Sequence, residues 1–129
     1  MVPTADERPL VLVAEDHDDA RELYAAVLED AGFEAVKASD GTQALALVRD
    51  RPPAILILDL SIPVVDGFEV ARLVREDPAT RPTRILVVTG HSERAVLDRA
   101  TELDVDGVLL KPVDAGEVVR RVRALLARS

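Results

Sequence analysis

Ala54-Ile55-Leu56-Ile57-Leu58-Asp59 is the stretch on which the fold turns: five aliphatic residues without a polar interruption, stopped by a carboxylate. A strand covered on one face alternates apolar and polar residues. An unbroken run instead fits a strand covered on both faces, as in a parallel sheet enclosed by helices. Pro52 and Pro53 end whatever precedes the run. Residues 54–58 are the most apolar strand candidate and so the expected centre of the sheet.

The same alternation of buried strand and amphipathic helix repeats outward from this centre. Residues 10–14 form an aliphatic strand that stops at Glu15 and Asp16. A helix begins near Asp18 or Asp19, either of which is a candidate cap, carries Leu23, Ala26, Val27 and Ala31 at helical spacing, and ends at Gly32. A strand is expected over 34–38, then a helix over 41–49 capped by Asp40, with Gln43 as capping-box partner. Beyond the central strand, a helix over 67–75 starts under Asp66, with Glu69 at the capping-box position, and gives way to a loop with Pro78 and Pro82. Strand 85–88 ends in Thr89-Gly90, helix 92–103 follows, and strand 107–110 leads into Lys111-Pro112. The last helix, 115–127, sets Ala115, Val118, Val119, Val122, Leu125 and Leu126 along one stripe, with Arg120, Arg121 and Arg123 mostly off it. Strands alternating with helices in this way predict an α/β fold with a doubly wound five-stranded parallel sheet, right-handed crossovers and five helices. Ligands of such sheets bind outside the carboxyl ends of the strands, where the strand order reverses.

A chain of 129 residues with 48% hydrophobic residues fits one domain, 1–129, with its core over about 10–127 and a flexible N-terminus over 1–9. Without cysteine there is no disulfide, thiolate nucleophile or cysteine zinc site. The start of the chain, with Asp6 and Glu7, lacks the basic and apolar regions of a secretory signal, and no apolar run nears the ~20 residues that span a bilayer. A net charge of −8 repels nucleic acid and anionic lipid. The expectation is a cytoplasmic protein with no direct contact to nucleic acid or membrane.

Glu15, Asp16, Asp59, Thr89 and Lys111 all follow the carboxyl ends of strands and so are expected on one rim. Three carboxylates brought together repel one another unless a cation joins them, and all-oxygen ligation suits a hard divalent ion such as Mg²⁺, with Mn²⁺ as a substitute. A carboxylate so placed is able to attack phosphorus and form an acyl phosphate. Asp59 is the expected nucleophile, with Lys111 pairing to one phosphoryl oxygen and Thr89 donating a hydrogen bond to another.

These residues resemble the response-regulator receiver domains of two-component signalling. The resemblance rests on Val13-Ala14-Glu15-Asp16, on Leu58-Asp59 through Asp66-Gly67, on Val88-Thr89-Gly90 and on Leu110-Lys111-Pro112, and it spans 10–126. It implies a flavodoxin-like strand order 2-1-3-4-5 and phosphorylation of Asp59 by a histidine kinase or histidine phosphotransfer protein. It also implies that Asp16 and Asp59 ligate Mg²⁺ directly, Glu15 through water, and Ser61 through its backbone carbonyl. The Lys111-Pro112 bond is expected to be cis. Ser61 and His91 hold the positions that modulate phosphoryl lifetime in the family, and His91, with an ordinary pKa of ~6.5, is a candidate for making that lifetime pH-dependent. Output is expected through a downstream protein target or a fused output domain, with a homodimer through helix four, strand five and helix five as a further option.

Simpler roles account for other polar residues. Asp66 is expected only to cap its helix, and His17 to be an exposed loop residue. A calcium loop over Asp16–Val27 fails, because it would have Arg21 where glycine is needed and Val27 where glutamate is needed. The three arginines of the last helix read as a solvated face, although Asp98, Glu102 and Asp104 offer them partners across a dimer.

The chain also departs from the family. Val108 occupies the position of the aromatic residue that usually reports threonine movement, Val113 replaces a frequent phenylalanine, and Ile62 a frequent methionine. Transmission of a phosphorylation signal is therefore the open feature, and an unphosphorylated docking module is the competing function. A haloacid-dehalogenase-type phosphatase is disfavoured, since Ser61 stands where that class needs a second acid. A flavodoxin is disfavoured because the first loop offers acids to a flavin phosphate.

Overall fold

The computed structural model describes residues 8–128, so most of the expected flexible segment 1–9 lies outside the described residues. Arg8 and Pro9 are anchored: the Arg8 guanidinium pairs with Glu29 at 2.8 Å, and the Pro9 carbonyl accepts from the Glu34 N–H at 3.0 Å.

The elements run β1 (Leu10–Ala14), α1 (Asp18–Asp30), β2 (Glu34–Ala38), α2 (Gly41–Asp50), β3 (Ile55–Leu58), α3 (Gly67–Glu76), β4 (Arg84–Thr89), α4 (Arg94–Glu102), β5 (Gly107–Leu110) and α5 (Ala115–Ala127). All strand pairs are parallel, in the order β2-β1-β3-β4-β5. The central position of β3, between β1 and β4, is the one its unbroken apolar run requires.

Side chains alternate between two half-cores. Val11, Val13, Ile55, Ile57, Leu86 and Val88 point to the face covered by α1 and α5, where they meet Leu28 and Val122. Leu12, Ala14, Leu56, Leu58, Ile85 and Val87 point to the other face, against Val48 of α2 and Val70 and Val74 of α3. Full burial of such a side chain contributes about 1.5–3 kcal/mol, so the three inner strands anchor the domain. The chain winds from β1 to β2 on one side and from β3 onward on the other, which leaves a crevice at the carboxyl ends of β1 and β3.

Several helix starts differ from expectation. His17, without a side-chain cap, precedes α1, and Asp18 and Asp19 lie in the first turn, where their charges face the positive end of the helix dipole. Asp40 and Asp66 do cap α2 and α3, accepting from the N–H groups of Gln43 and Glu69. Neither capping box closes: the Gln43 side chain accepts from the Ser39 N–H, and Glu69 pairs with Arg72. The fourth helix starts at Arg94 instead of residue 92: the chain bends at Gly90, the His91 N–H donates to the Thr89 hydroxyl, and Glu93, still extended, stands at the N-cap.

The loop after β3 is pinned to the start of α2. The Gly41 N–H donates to the Pro63 carbonyl at 3.1 Å, and a Cβ on Gly41 would collide with the Val65 carbonyl. Gly41→Ala is expected to destabilise the protein by about 1–3 kcal/mol, the range for overpacking. Urea unfolding should show this as a lower midpoint with an unchanged slope.

Candidate functional site

Period-two alternation decides which strand-end residues meet. Glu15 follows Val11 and Val13, Asp59 follows Ile55 and Ile57, and Lys111 follows Leu109, so all three continue rows on the α1/α5 face. Thr89 continues the row of Ile85 and Val87 on the opposite face. The ladder bond from the Lys111 N–H to the Thr89 carbonyl, at 2.8 Å, holds the ends of β4 and β5 together.

Lys111 Nζ lies 2.7 Å from Glu15 Oε1 and 3.0 Å from Asp59 Oδ2. Glu15 is 2% exposed and Asp59 5%, so one ammonium serves two carboxylates withdrawn from water. Asp59 Oδ1 accepts from the Ser61 N–H at 2.9 Å, and Glu15 Oε2 from the His17 N–H at 3.2 Å. The exposed Asp16 completes a group in which Glu15, Asp16 and Asp59 each offer an oxygen within 4.8 Å of the others. Three oxygen donors facing a single ammonium fit a hard divalent cation, which would supply the missing positive charge.

Burial pushes the Glu15 carboxyl upward, and the neighbouring Asp59 pushes it further, against the opposing pull of Lys111. Burial acts on Asp59 in the same sense, but hydrogen bonding with Glu15, the Ser61 N–H and Lys111 outweighs it and holds Asp59 below the usual carboxylate range. Burial would lower Lys111, yet the two carboxylates keep it above its ordinary value. Asp59 is thus the carboxylate kept ionised, and Glu15 the one readier to hold a proton.

Thr89 is fully buried, and its hydroxyl accepts from the His91 N–H at 3.1 Å. Ser61 Oγ and His91 Nε2 lie 3.1 Å apart, and His91 Nδ1 is 3.6 Å from Glu93. The two residues singled out as modulators therefore touch, linking the loops after β3 and β4. Glu93 was not singled out from sequence, nor was Arg21, which donates to the Glu15 carbonyl at 3.0 Å and pairs with Asp18 at 2.6 Å. The Asp18–Arg21 spacing of three on a helix was the available signal for the latter. Tyr24 also goes beyond the sequence reading: its largely buried ring lines a groove with His17, Leu23, Lys111 and Pro112. The Lys111-Pro112 peptide is cis. Val108 is half-buried and packs against the half-core under α2 and α3, so no ring occupies the usual switch position.

In metal-free protein the two acids contribute opposite pH dependences. Glu15 has a folded-state pKa above its ordinary 4.5, so its contribution is fully present below that value and lost as pH rises through the folded pKa. Asp59 has a folded-state pKa below 3.8, so its contribution is present above that value and lost as pH falls. Urea-unfolding free energies measured against pH in chelator are expected to lose part of their dependence above 4.5 in Glu15→Gln, and part of their dependence below 3.8 in Asp59→Asn.

The family described as the response regulator receiver domain matches residues 11–123. The phosphate regulon transcriptional regulatory protein PhoB of Pseudomonas aeruginosa is 33% identical over 119 residues, which cover 92% of this chain and 52% of PhoB. The DNA-binding response regulator MtrA of Mycobacterium tuberculosis is 34% identical over 122 residues, covering 95% of this chain and 52% of MtrA. This chain thus spans about half the length of these curated relatives. Among solved structures, the chemotaxis response regulator CheY4 of Vibrio cholerae aligns with a TM-score of 0.86 at 27% identity, over 92% of this chain and 98% of CheY4. With the sheet order, the rim residues and the match over 11–123 in agreement, the chain belongs to the response regulator receiver domains of two-component signalling.

Proposed function

We propose that this receiver is a phosphoacceptor switch in which Asp59 takes a phosphoryl group from the histidine of a histidine kinase or histidine phosphotransfer protein. The observation that carries this reading is the placement of Lys111 Nζ between Glu15 and Asp59, with Asp16 beside them. An ionised Asp59 oxygen bonds to phosphorus as the P–N bond breaks, and the bonding pair returns to the imidazole nitrogen of the donor. Lys111 is placed to leave Asp59 and pair with a phosphoryl oxygen. The Thr89 hydroxyl donates to another oxygen once the loop beyond it shifts.

Asp16, Asp59, Glu15 through water and the Ser61 backbone carbonyl would hold Mg²⁺, or Mn²⁺ in its place. When bound, the ion neutralises charge on the group in transfer. Catalysis is confined to the protein's own phosphorylation and dephosphorylation. Ser61 and His91 set the lifetime of the acyl phosphate: Ser61 donates its N–H to Asp59 and its hydroxyl touches the His91 ring.

Residues 1–129 act as one receiver unit in the cytoplasm, without direct contact to nucleic acid or membrane. The net charge of −8 supports this reading, and among the described residues no helix is long and apolar enough to cross a membrane. The phosphorylated form switches a protein–protein surface on α4, β5 and α5 that addresses a downstream target, a fused output domain or a second copy of the chain. Val108 favours one alternative, an unphosphorylated docking module, because the ring usually coupled to Thr89 is absent.

Incubation with Mg²⁺ and acetyl phosphate is expected to add one phosphoryl group by intact mass, with no adduct on Asp59→Asn and a strongly reduced one on Lys111→Ala. A folded wild-type protein that takes no group under these conditions or from a phosphorylated kinase would bring the docking module forward. His91→Ala is expected to change the rate of phosphoryl loss severalfold, read as decay of the adduct after the donor is removed.

A further inference from the structure

The loop that carries Asp16 runs only from Glu15 to His17, between the end of β1 and the start of α1. The Glu15 N–H makes the last rung to β2, donating to the Ala38 carbonyl at 3.0 Å. Beyond that rung α1 takes over the loop, and it does so through one residue. Arg21 Nη1 donates to the Glu15 carbonyl at 3.0 Å, and the Arg21 N–H donates to the His17 carbonyl at 2.9 Å. The His17 N–H in turn donates to Glu15 Oε2 at 3.2 Å. Asp16 stands in the middle of this frame, exposed, with an oxygen within 4.8 Å of the Glu15 and Asp59 oxygens. Among the described residues its carboxylate has no hydrogen-bond partner, so the backbone on either side sets its direction.

A peptide group is planar, so a hydrogen bond that fixes the Glu15 carbonyl also fixes the Asp16 N–H on the opposite side of the same plane. Arg21 is drawn inward to make that bond. Its side chain is 14% exposed, against 45% for Arg72 and 65% for Arg120, which form ion pairs of the same three-residue spacing on α3 and α5. The pair with Asp18, at 2.6 Å, does not require this burial, because Asp18 itself is 84% exposed. Nor does the charge of Arg21 explain its place. A cation beside three acids weakens their attraction for a second cation, and here Asp18, on the same guanidinium, offsets that charge. The guanidinium therefore serves the loop as a donor to a carbonyl more than as a source of positive charge.

We propose that Arg21 is a positioning residue for the metal centre: by holding the Glu15 carbonyl it sets the direction in which Asp16 presents its carboxylate. This role rests on the reading of Glu15, Asp16 and Asp59 as the set that holds Mg²⁺. Arg21 itself touches neither the ion nor the phosphoryl group. Without it the loop loses its link to the second turn of α1, and Asp16 spreads over directions of which few face Asp59.

Wild type is compared with Arg21→Ala, with Arg21→Met, which keeps a long apolar stem but no charge or donor, and with Arg21→Lys, which keeps the charge and one donor group. Mn²⁺ binding is read from the electron paramagnetic resonance signal of the free ion, below the melting temperature of every variant. Arg21→Ala and Arg21→Met are expected to bind Mn²⁺ about tenfold more weakly, the lower end of the range for losing a group that orients a metal ligand, with Arg21→Lys in between. With acetyl phosphate, the Mg²⁺ concentration for half-maximal phosphorylation should rise by the same factor, while the rate at saturating Mg²⁺ stays close to wild type. Mn²⁺ binding that is unchanged or tighter in Arg21→Ala and Arg21→Met would overturn the proposal, since removal of a nearby positive charge alone tightens it. A slower reaction at saturating Mg²⁺ with unchanged half-saturation would overturn it too, because Arg21 would then act on the transfer and not on the metal ligand. Arg21→Met and Arg21→Lys keep the comparison in force should Arg21→Ala fail to fold. A wild-type chain that binds no Mn²⁺, or an Asp16→Asn chain that binds it as tightly as wild type, would instead remove the metal-binding reading beneath the proposal.

Discussion

Lys111 and the two buried carboxylates it bridges form the constraint around which the site is arranged. Isolated charges are expensive to bury, and a pair of like charges more so. Here the cost is contained by a single ammonium at 2.7 and 3.0 Å and by backbone N–H donors from His17 and Ser61. A compact ammonium on a flexible stem suits a position between two oxygens better than a planar guanidinium would. Two of the sixteen basic residues are lysines, and the one at this position is flanked by the end of β5 and a cis proline. The arrangement is electrostatically incomplete, with three acids against one cation, and that imbalance makes it receptive to a metal ion and a phosphoryl group together.

Much of this was legible from the chain. The buried strands announce themselves as unbroken aliphatic runs, and their ends are marked by an abrupt change to Glu15, Asp59, Thr89 and Lys111. Residues up to 96 positions apart then meet, because a parallel sheet puts every carboxyl end on one edge. What the chain did not display was detail decided by tertiary competition. Gln43 and Glu69 sit at capping-box spacing, but Ser39 and Arg72 claim their side chains. Residue 92 reads as the first turn of a helix, yet the His91 N–H is drawn to the Thr89 hydroxyl and the helix waits until Arg94. The contact between Ser61 and His91 joins residues 30 apart, with no local pattern to signal it.

The weakly held part of the molecule lies where output is expected. Of the nine residues of α4 only Ala100 is buried, and the helix starts without a side-chain cap. One lateral contact is the Arg99 guanidinium, 4.0 Å from the centre of the Phe68 ring on α3. Exposed contacts of this kind are worth about 0.5–1 kcal/mol, small enough for a ligand-driven shift to overcome. With Val108 in place of a ring, this stack ties α4 to an aromatic residue of α3.

The two-residue alternation of β1, β3 and β4 also bears on how such a protein varies over evolutionary time. Each inner strand feeds both half-cores and ends in a side chain whose direction is fixed by odd or even position. Deleting or inserting one residue inside any of them would exchange the two half-cores beyond that point and, in the same stroke, turn the terminal acid or hydroxyl to the wrong side of the sheet. Length changes are therefore confined to the loops and to the far edge, and the inner strands diversify by substitution alone.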